Sequence, residues 1–215
     1  MKRKVLLITP PYHCGVVESA GRWPNLAFIY IAGELRKAGF EVAIYDAMSK
    51  FTGYNEIETE IDEFKPDFVG STAITATLYA AAEVLKRAKR INNKIITLLG
   101  GVHPTFMWEE VLMDYYEDVD FCILGEGEVT VPELLGTILN EGDVSKVKGI
   151  AYWEKGRAVN TQPREFIQDL DSIDGAWDIV DWSDYPLYFI DNSHVAIVSS
   201  SRGCIHECAF CSQHK

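Results

Sequence analysis

The chain has 215 residues, 47% of them hydrophobic, with a mean hydropathy of −0.03, which describes an ordinary soluble globular protein and excludes a disordered one. A formal net charge of −12, with no basic cluster beyond Lys86-Arg87 and Lys89-Arg90 on one helix face, argues against nucleic acid and favours small-molecule ligands. No apolar run approaches the roughly 20 residues of a membrane span, so the expectation is a cytoplasmic protein without membrane contact.

Met1-Lys2-Arg3-Lys4 ahead of Val5-Leu6-Leu7-Ile8 has the look of a signal peptide, but Pro10-Pro11 ends the apolar run too early for a signal core. Residues 5–9 therefore read as a first buried strand. Residues 26–38 form an amphipathic helix that Gly39 ends, and 41–46 a second strand. A helix over 57–64 stops before Pro66, because the residue ahead of a proline is biased away from helix. A third strand spans 67–71, and the longest helix, rich in Ala, Lys and Arg, spans 78–91. Residues 95–99 are a fourth strand running into Gly100-Gly101, followed by a helix over 109–116, a fifth strand over 121–124 and a fifth helix over 131–140. Five strand–helix units with apolar strands imply an α/β fold, a doubly wound five-stranded parallel sheet covered on both faces. That domain should occupy residues 1–142.

Beyond it the pattern changes. Residues 149–153 and 157–161 flank the turn-like Glu154-Lys155-Gly156 and read as a β-hairpin. Residues 165–193 are acidic and aromatic (Trp177, Trp182, Tyr185, Tyr188, Phe189) without periodicity, and read as a linker wrapping over a neighbouring domain. Hairpin and linker together make a second region, 143–193. Residues 194–199 read as a new strand leading into Ser201-Arg202-Gly203-Cys204, so 194–215 form a third region.

Five cysteines are present, and Cys204, Cys208 and Cys211 fall within eight residues of one another. A disulfide framework would spread its cysteines, so the cluster points to a metal site in a reducing compartment. Cys204-Ile205-His206-Glu207-Cys208-Ala209-Phe210-Cys211 is a C-x3-C-x2-C loop. Three thiolates at that spacing can hold an iron–sulfur cube and leave one iron open. The competing reading is zinc, with His206 or His214 as a fourth ligand, but zinc sites favour two spaced ligand pairs. Cys14 and Cys122 read as ordinary small residues, with Cys122 buried and inert.

The cysteine loop, with Phe210 just before its last cysteine, resembles the radical S-adenosylmethionine (SAM) superfamily. That resemblance implies a [4Fe–4S] cluster on Cys204, Cys208 and Cys211, SAM on the open iron, an external electron donor, and a (β/α) barrel whose first strand is 194–199. The chain stops four residues after Cys211, whereas such a barrel takes roughly 200 residues. The expectation is a piece of a longer enzyme, inactive alone, that could self-associate through its aromatic linker.

The preceding segments, Thr9-Pro10-Pro11, Ser71-Thr72-Ala73-Ile74-Thr75, Gly100-Gly101-Val102-His103-Pro104-Thr105 and Gly125-Glu126-Gly127-Glu128, resemble the B12-binding domains of cobalamin-dependent radical SAM enzymes. The likeness is nearest to the group holding the anaerobic magnesium-protoporphyrin monomethyl ester cyclases and radical SAM methyltransferases. It implies a Rossmann-like or flavodoxin-like domain binding cobalamin at the strand ends. Ser71, Thr72, Thr75, Gly100 and Gly101 would line a slot for the nucleotide tail between the third and fourth strand loops. Thr9, Pro10, His103, Gly125, Glu126 and Gly127 would lie near the corrin. Many B12 domains carry D-x-H-x-x-G after the first strand, with the histidine on cobalt. Here the loop is Thr9-Pro10-Pro11-Tyr12-His13-Cys14-Gly15, so cobalt without a protein histidine is expected, with His13 as the alternative ligand. His103 reads first as a residue that fixes its turn, and Glu126 and Glu128 could simply complement a helix N-terminus.

Rival functions fare worse. A nucleotide-binding oxidoreductase would place its G-x-G-x-x-G after the first strand, and a receiver-like or flavin-binding module would not carry two prolines there. The remaining rival is a B12-like scaffold that binds no cobalamin. Small Ser71, Ala73, Gly100 and Gly101 in the tail slot favour binding. Methyl transfer and oxidative cyclisation of a porphyrin both stay open for the whole enzyme.

Overall fold

The structure, a computed structural model, describes residues 2–13, 22–186, 193, 196–206 and 208–212. Strands β1 (Lys4–Thr9), β2 (Glu41–Asp46), β3 (Phe68–Thr72), β4 (Ile96–Gly100) and β5 (Phe121–Ile123) are parallel. Helices α1 (Leu26–Lys37), α2 (Ala47–Lys50), α3 (Tyr54–Phe64), α4 (Leu78–Ile91), α5 (Val102–Tyr115) and α6 (Gly127–Leu139) connect and cover them.

The sheet has seven strands, two more than expected. Strands β6 (Ile150–Glu154) and β7 (Arg157–Asn160) form the anticipated hairpin, but it joins the sheet instead of standing apart. β6 pairs antiparallel to β5 through Phe121–Tyr152, Cys122–Ala151 and Ile123–Ile150. The order is β2-β1-β3-β4-β5-β6-β7. Lys155 and Gly156 turn the hairpin with φ of 51° and 81°, the two left-handed residues that match strand twist in a two-residue turn.

Side chains alternate between two cores. Leu6 and Ile8 face Ile57, Leu85 and Leu112, while Val5 and Leu7 face Phe28, Leu35 and Leu134. Because both faces are covered, the centres of the parallel strands are largely apolar, with polar residues such as Thr9, Asp46 and Thr72 at strand ends.

Three helices begin earlier than the sequence suggests, α3 at Tyr54 and, by a larger margin, α5 and α6. α5 starts at Val102, with Pro104 in its first turn, where a missing N–H costs nothing. α6 starts at Gly127 and carries Pro132 inside it. The Gly-Gly-Val-His-Pro run reads as loop only because its punctuating residues also suit a helix start.

The acidic-aromatic segment wraps its own domain. Its residues 174–186 lie across α1 and the end of β2. The Ala176 amide donates to the Ile29 carbonyl at 3.0 Å, and the buried Tyr185 hydroxyl donates to Asp46 Oδ2 at 3.0 Å. Gly33 permits the approach: a Cβ there would sit 1.9 Å from the Asp174 carbonyl oxygen. Trp177 stacks on Trp182 and meets the Tyr30 ring edge-on. Arg36–Asp178 and Lys37–Asp174 pairs line the outside, but exposed pairs contribute little. The buried hydroxyl and Ala176 are the stronger anchors. Tyr188 and Phe189 lie outside the described residues.

Of the anticipated strand over 194–199, residues 194 and 195 lie outside the described set, and 196–199 form no strand. Among the described residues no strand pairs with them, and a lone strand would leave its N–H and C=O groups unpaired. Among the described residues no helix is long and apolar enough to cross a membrane.

Candidate functional site

In open parallel sheets ligands gather beyond the strand C-termini, near the point where strand order reverses. Here the chain winds outward in both directions from β1 and β3, and every loop expected to bind emerges at that edge. A cleft of about 1020 Å³ opens there. One wall is the β4–α5 loop (Gly101, Val102, Thr105, Phe106) and the β5–α6 loop (Gly125, Glu126). Residues 199–205, which include the first cluster cysteine, and Phe166, Ile167, Gln168, Leu170 and Asp171 also line the cleft.

Beneath the edge, Thr9 at the end of β1 is 7% exposed, and its Oγ1 has no hydrogen-bond partner among the described residues. An unpaired buried hydroxyl costs about 1–3 kcal/mol, so a ligand donor or acceptor there would be stabilising. Pro10 is buried beside it. Ser71 is committed elsewhere: its Oγ donates to the Ile8 carbonyl at 2.9 Å, tying β3 to β1.

The β3 and β4 loops are also tied together. The Ala73 amide donates to the Gly100 carbonyl at 2.9 Å, and the His103 amide donates to the Ala73 carbonyl at 3.0 Å. Gly101 sits between them at φ 100°, and a Cβ there would lie 2.7 Å from both the Ala73 carbonyl oxygen and Thr72 Oγ1. The slot expected between these two loops is therefore bridged by backbone hydrogen bonds. Thr75 Oγ1 and His103 Nδ1 are 3.1 Å apart, so His103 braces its turn. His13 stacks on Phe51 with ring centroids 4.9 Å apart.

Past β5, Gly125 takes φ 75°, and its amide donates to Thr105 Oγ1 at 3.0 Å, joining the two cleft-lining loops. Gly127 is buried, and a Cβ there would meet Ile31 Cδ1 at 2.8 Å, so a larger residue would push the Ile31 side chain of α1 aside. Glu126 Oε2 accepts the Ile167 amide at 2.6 Å. Glu126 Oε1 and Glu128 Oε1 lie 3.1 and 2.7 Å from Arg202 Nη1.

The structure thus brings Gly101, Gly125, Glu126 and Cys204 around one cleft and leaves Ser71, Thr72, Thr75 and His103 in the loop scaffold behind it. Sequence reasoning missed Phe166, Leu170, Asp171 and Arg202. Their signal was faint, because aperiodic loop residues reveal neither burial nor partner.

Cys204 and Cys208 are exposed and Cys211 is half-buried. Among the described residues no three Cys, His, Asp or Glu are drawn together closely enough to hold a metal ion. The donor set suits a [4Fe–4S] cluster chemically, and such ligands commonly converge only as the metal binds. Cys122 is fully buried in β5, and burial pushes its thiol up to about 12.

Relatives fit this geometry. The chain is 40% identical over 218 residues to the anaerobic magnesium-protoporphyrin IX monomethyl ester cyclase of Rubrivivax gelatinosus, covering 99% of the chain and 39% of that protein. It is 33% identical over 211 residues to an uncharacterized methyltransferase, PH0819, of Pyrococcus horikoshii, covering 97% of the chain and 45% of that protein. The chain therefore spans about two fifths of the length of these curated relatives. Its fold matches the cobalamin-dependent radical enzyme OxsB, solved with aqua-cobalamin and SAM, at a TM-score of 0.66 and 23% identity, over 77% of this chain and 23% of that one. It also matches the radical SAM methyltransferase TsrM of Kitasatospora setae, solved with cobalamin and a [4Fe-4S] cluster, at 0.64 and 19%, over 81% and 31%. The B12 binding domain profile matches residues 12–135, which run from the loop after β1 through α6; with the sheet order and the cleft at its strand ends, this chain belongs to the B12-binding domain family.

Proposed function

We propose that the chain binds cobalamin in the cleft at the C-terminal edge of β4 and β5, as the corrinoid part of a radical SAM enzyme. The observation that carries this reading is the cleft of about 1020 Å³ between the β4 and β5 loops and the cysteine loop, within a chain of the B12-binding family. Gly101, Gly125 and Glu126 would hold the corrin, with Thr9 and Pro10 beneath the edge and Gly127 letting α6 start near it. Ser71, Thr72, Thr75, Gly100 and His103 shape the neighbouring loops that receive the tail. His103 meets Thr75 and His13 stacks on Phe51, which supports a site that would hold cobalamin without a histidine on its metal.

Across the cleft, Cys204, Cys208 and Cys211 supply thiolates for a [4Fe–4S] cluster, with SAM on the open iron and an electron donor for reduction. Bound together, these groups supply a carbon-centred radical and a methyl-carrying or redox-active cobalt, suited to methyl transfer or oxidative cyclisation. The chain's own residues would hold the two cofactors in one cleft, which Phe166 and Leu170 also line.

A second reading, a scaffold without cobalamin, draws on one observation: the β3 and β4 loops are joined by the Ala73–Gly100 and His103–Ala73 hydrogen bonds, leaving less room for a tail. Titration with hydroxocobalamin, desalting and an absorbance spectrum decide between them. Stoichiometric, base-off cobalamin is expected; a colourless protein after desalting would establish the scaffold reading.

A further inference from the structure

Arg202 is two residues before Cys204, and its side chain meets residues of the sheet domain. Its Nη1 lies 2.7 Å from Glu128 Oε1 and 3.1 Å from Glu126 Oε1, and its guanidinium sits 5.5 Å from the centre of the Tyr30 ring on α1. Glu128 is 4% exposed, and Arg202 is its sole ion-pair partner among the described residues. Glu126 uses its other oxygen to accept the Ile167 amide at 2.6 Å. The start of α6 and Tyr30 of α1 thus meet on one guanidinium carried by the cysteine-loop segment, and Glu126 ties the segment at 166–171 to the same place. A buried carboxylate needs a countercharge, and here that countercharge is delivered by the cysteine loop itself. Gly203, at φ 80°, then turns the chain back so that Cys204 lines the cleft.

We propose that Arg202 is a positioning residue: seated on Glu126 and Glu128, it anchors the cysteine loop to the corrinoid domain at a fixed distance across the cleft. This rests on the cobalamin reading only for its purpose, since the anchor itself belongs to the polypeptide. The pair of carboxylates in Gly125-Glu126-Gly127-Glu128 then serves as the socket for the loop. Neutralising the socket and the guanidinium together should free the loop without leaving a buried charge.

The test uses two nitroxide labels on this chain, one at Cys204 and one at Tyr79→Cys on exposed α4, with Cys14, Cys208 and Cys211 replaced by Ser. Pulsed dipolar spectroscopy should give one narrow distance peak with Arg202 present. Arg202→Gln should lose that peak to a broad distribution, and so should the charge-neutral triple variant Arg202→Gln, Glu126→Gln, Glu128→Gln, which keeps the fold if the single variant does not. Arg202→Lys should restore part of the narrow peak. An unchanged narrow peak in the triple variant overturns the proposal, as does a broad distribution in the parent. Hydroxocobalamin retention is scored separately on the unlabelled chain with its cysteines intact: its loss, alongside a narrow peak in the labelled chain, refutes cobalamin binding and leaves the anchor standing.

Discussion

Replacing Tyr185 by Phe removes one oxygen and keeps the ring. In the structure that oxygen donates to Asp46 Oδ2 at 3.0 Å, while Asp46 Oδ1 accepts the Ser49 amide at 3.1 Å. Tyr185 is 4% exposed and Asp46 3%, so water cannot replace the lost donor. A hydrogen bond to a charged group contributes about 1.5–3 kcal/mol, which at about 2–4 °C per kcal/mol for a chain of this size lowers Tm by about 3–12 °C. The pH dependence carries a second signature. Burial holds the Asp46 carboxyl above the ordinary carboxylate range, with the Ser49 and Tyr185 hydrogen bonds opposing and the charge of Asp184 reinforcing it. Between the unfolded and folded values, the folded chain binds a proton that the unfolded chain has released. This group's contribution to stability therefore falls as pH rises from the ordinary carboxylate range up to the folded value, and is level above it. Asp46→Asn should abolish that slope. Tyr185→Phe, which removes a donor to the charged form, should carry the slope to higher pH. Urea unfolding followed by circular dichroism at several pH values measures both. A Tyr185→Phe change within about 0.5 kcal/mol of zero, the range of an inconsequential surface substitution, would refute the buried hydrogen bond. An unaltered pH slope in Asp46→Asn would refute the electrostatic argument.

Gly101→Ala combines a left-handed backbone with contacts to backbone and Thr72 at 2.7 Å; a loss of about 1–3 kcal/mol and weakened cobalamin retention are expected, and wild-type values in both measurements would sink the packing argument. Cys122, its thiol pushed up to about 12 by burial, should resist alkylation at pH 8 in the folded chain while exposed Cys204 and Cys208 react. Labelling mapped by mass spectrometry decides this, and modification of Cys122 at the Cys204 rate would contradict its burial.

The parallel sheet was legible because each of its strands is apolar and each is followed by a helix with a clear apolar stripe. β5 and β6 were both visible as short apolar runs, but their antiparallel pairing was not. It depends on Phe121 meeting Tyr152 across the sheet, a register that no local pattern encodes. The starts of α5 and α6 were misplaced because glycine and proline mark loops and helix N-termini alike. The covering segment was recognised as ordered from its aromatics, yet its docking surface was set by the absence of a side chain at Gly33, which no hydrophobic pattern advertises. In the site, the glycine-rich loops announced themselves by composition. Arg202 did not, because one arginine on a loop is indistinguishable from a solvated charge until its partners are located.

The segment at 174–186 also imposes an order of events on a chain emerging from the ribosome. The five parallel strands and their helices could assemble once α6 has left the exit tunnel, but the outer face of α1 around Gly33 and the carboxyl of Asp46 would wait uncovered until nearly fifty further residues follow. A polypeptide ended at the boundary that the family profile suggests would keep every strand from β1 to β5 and still present that groove to solvent, as a sticky nascent surface for chaperones or for another copy in the same state.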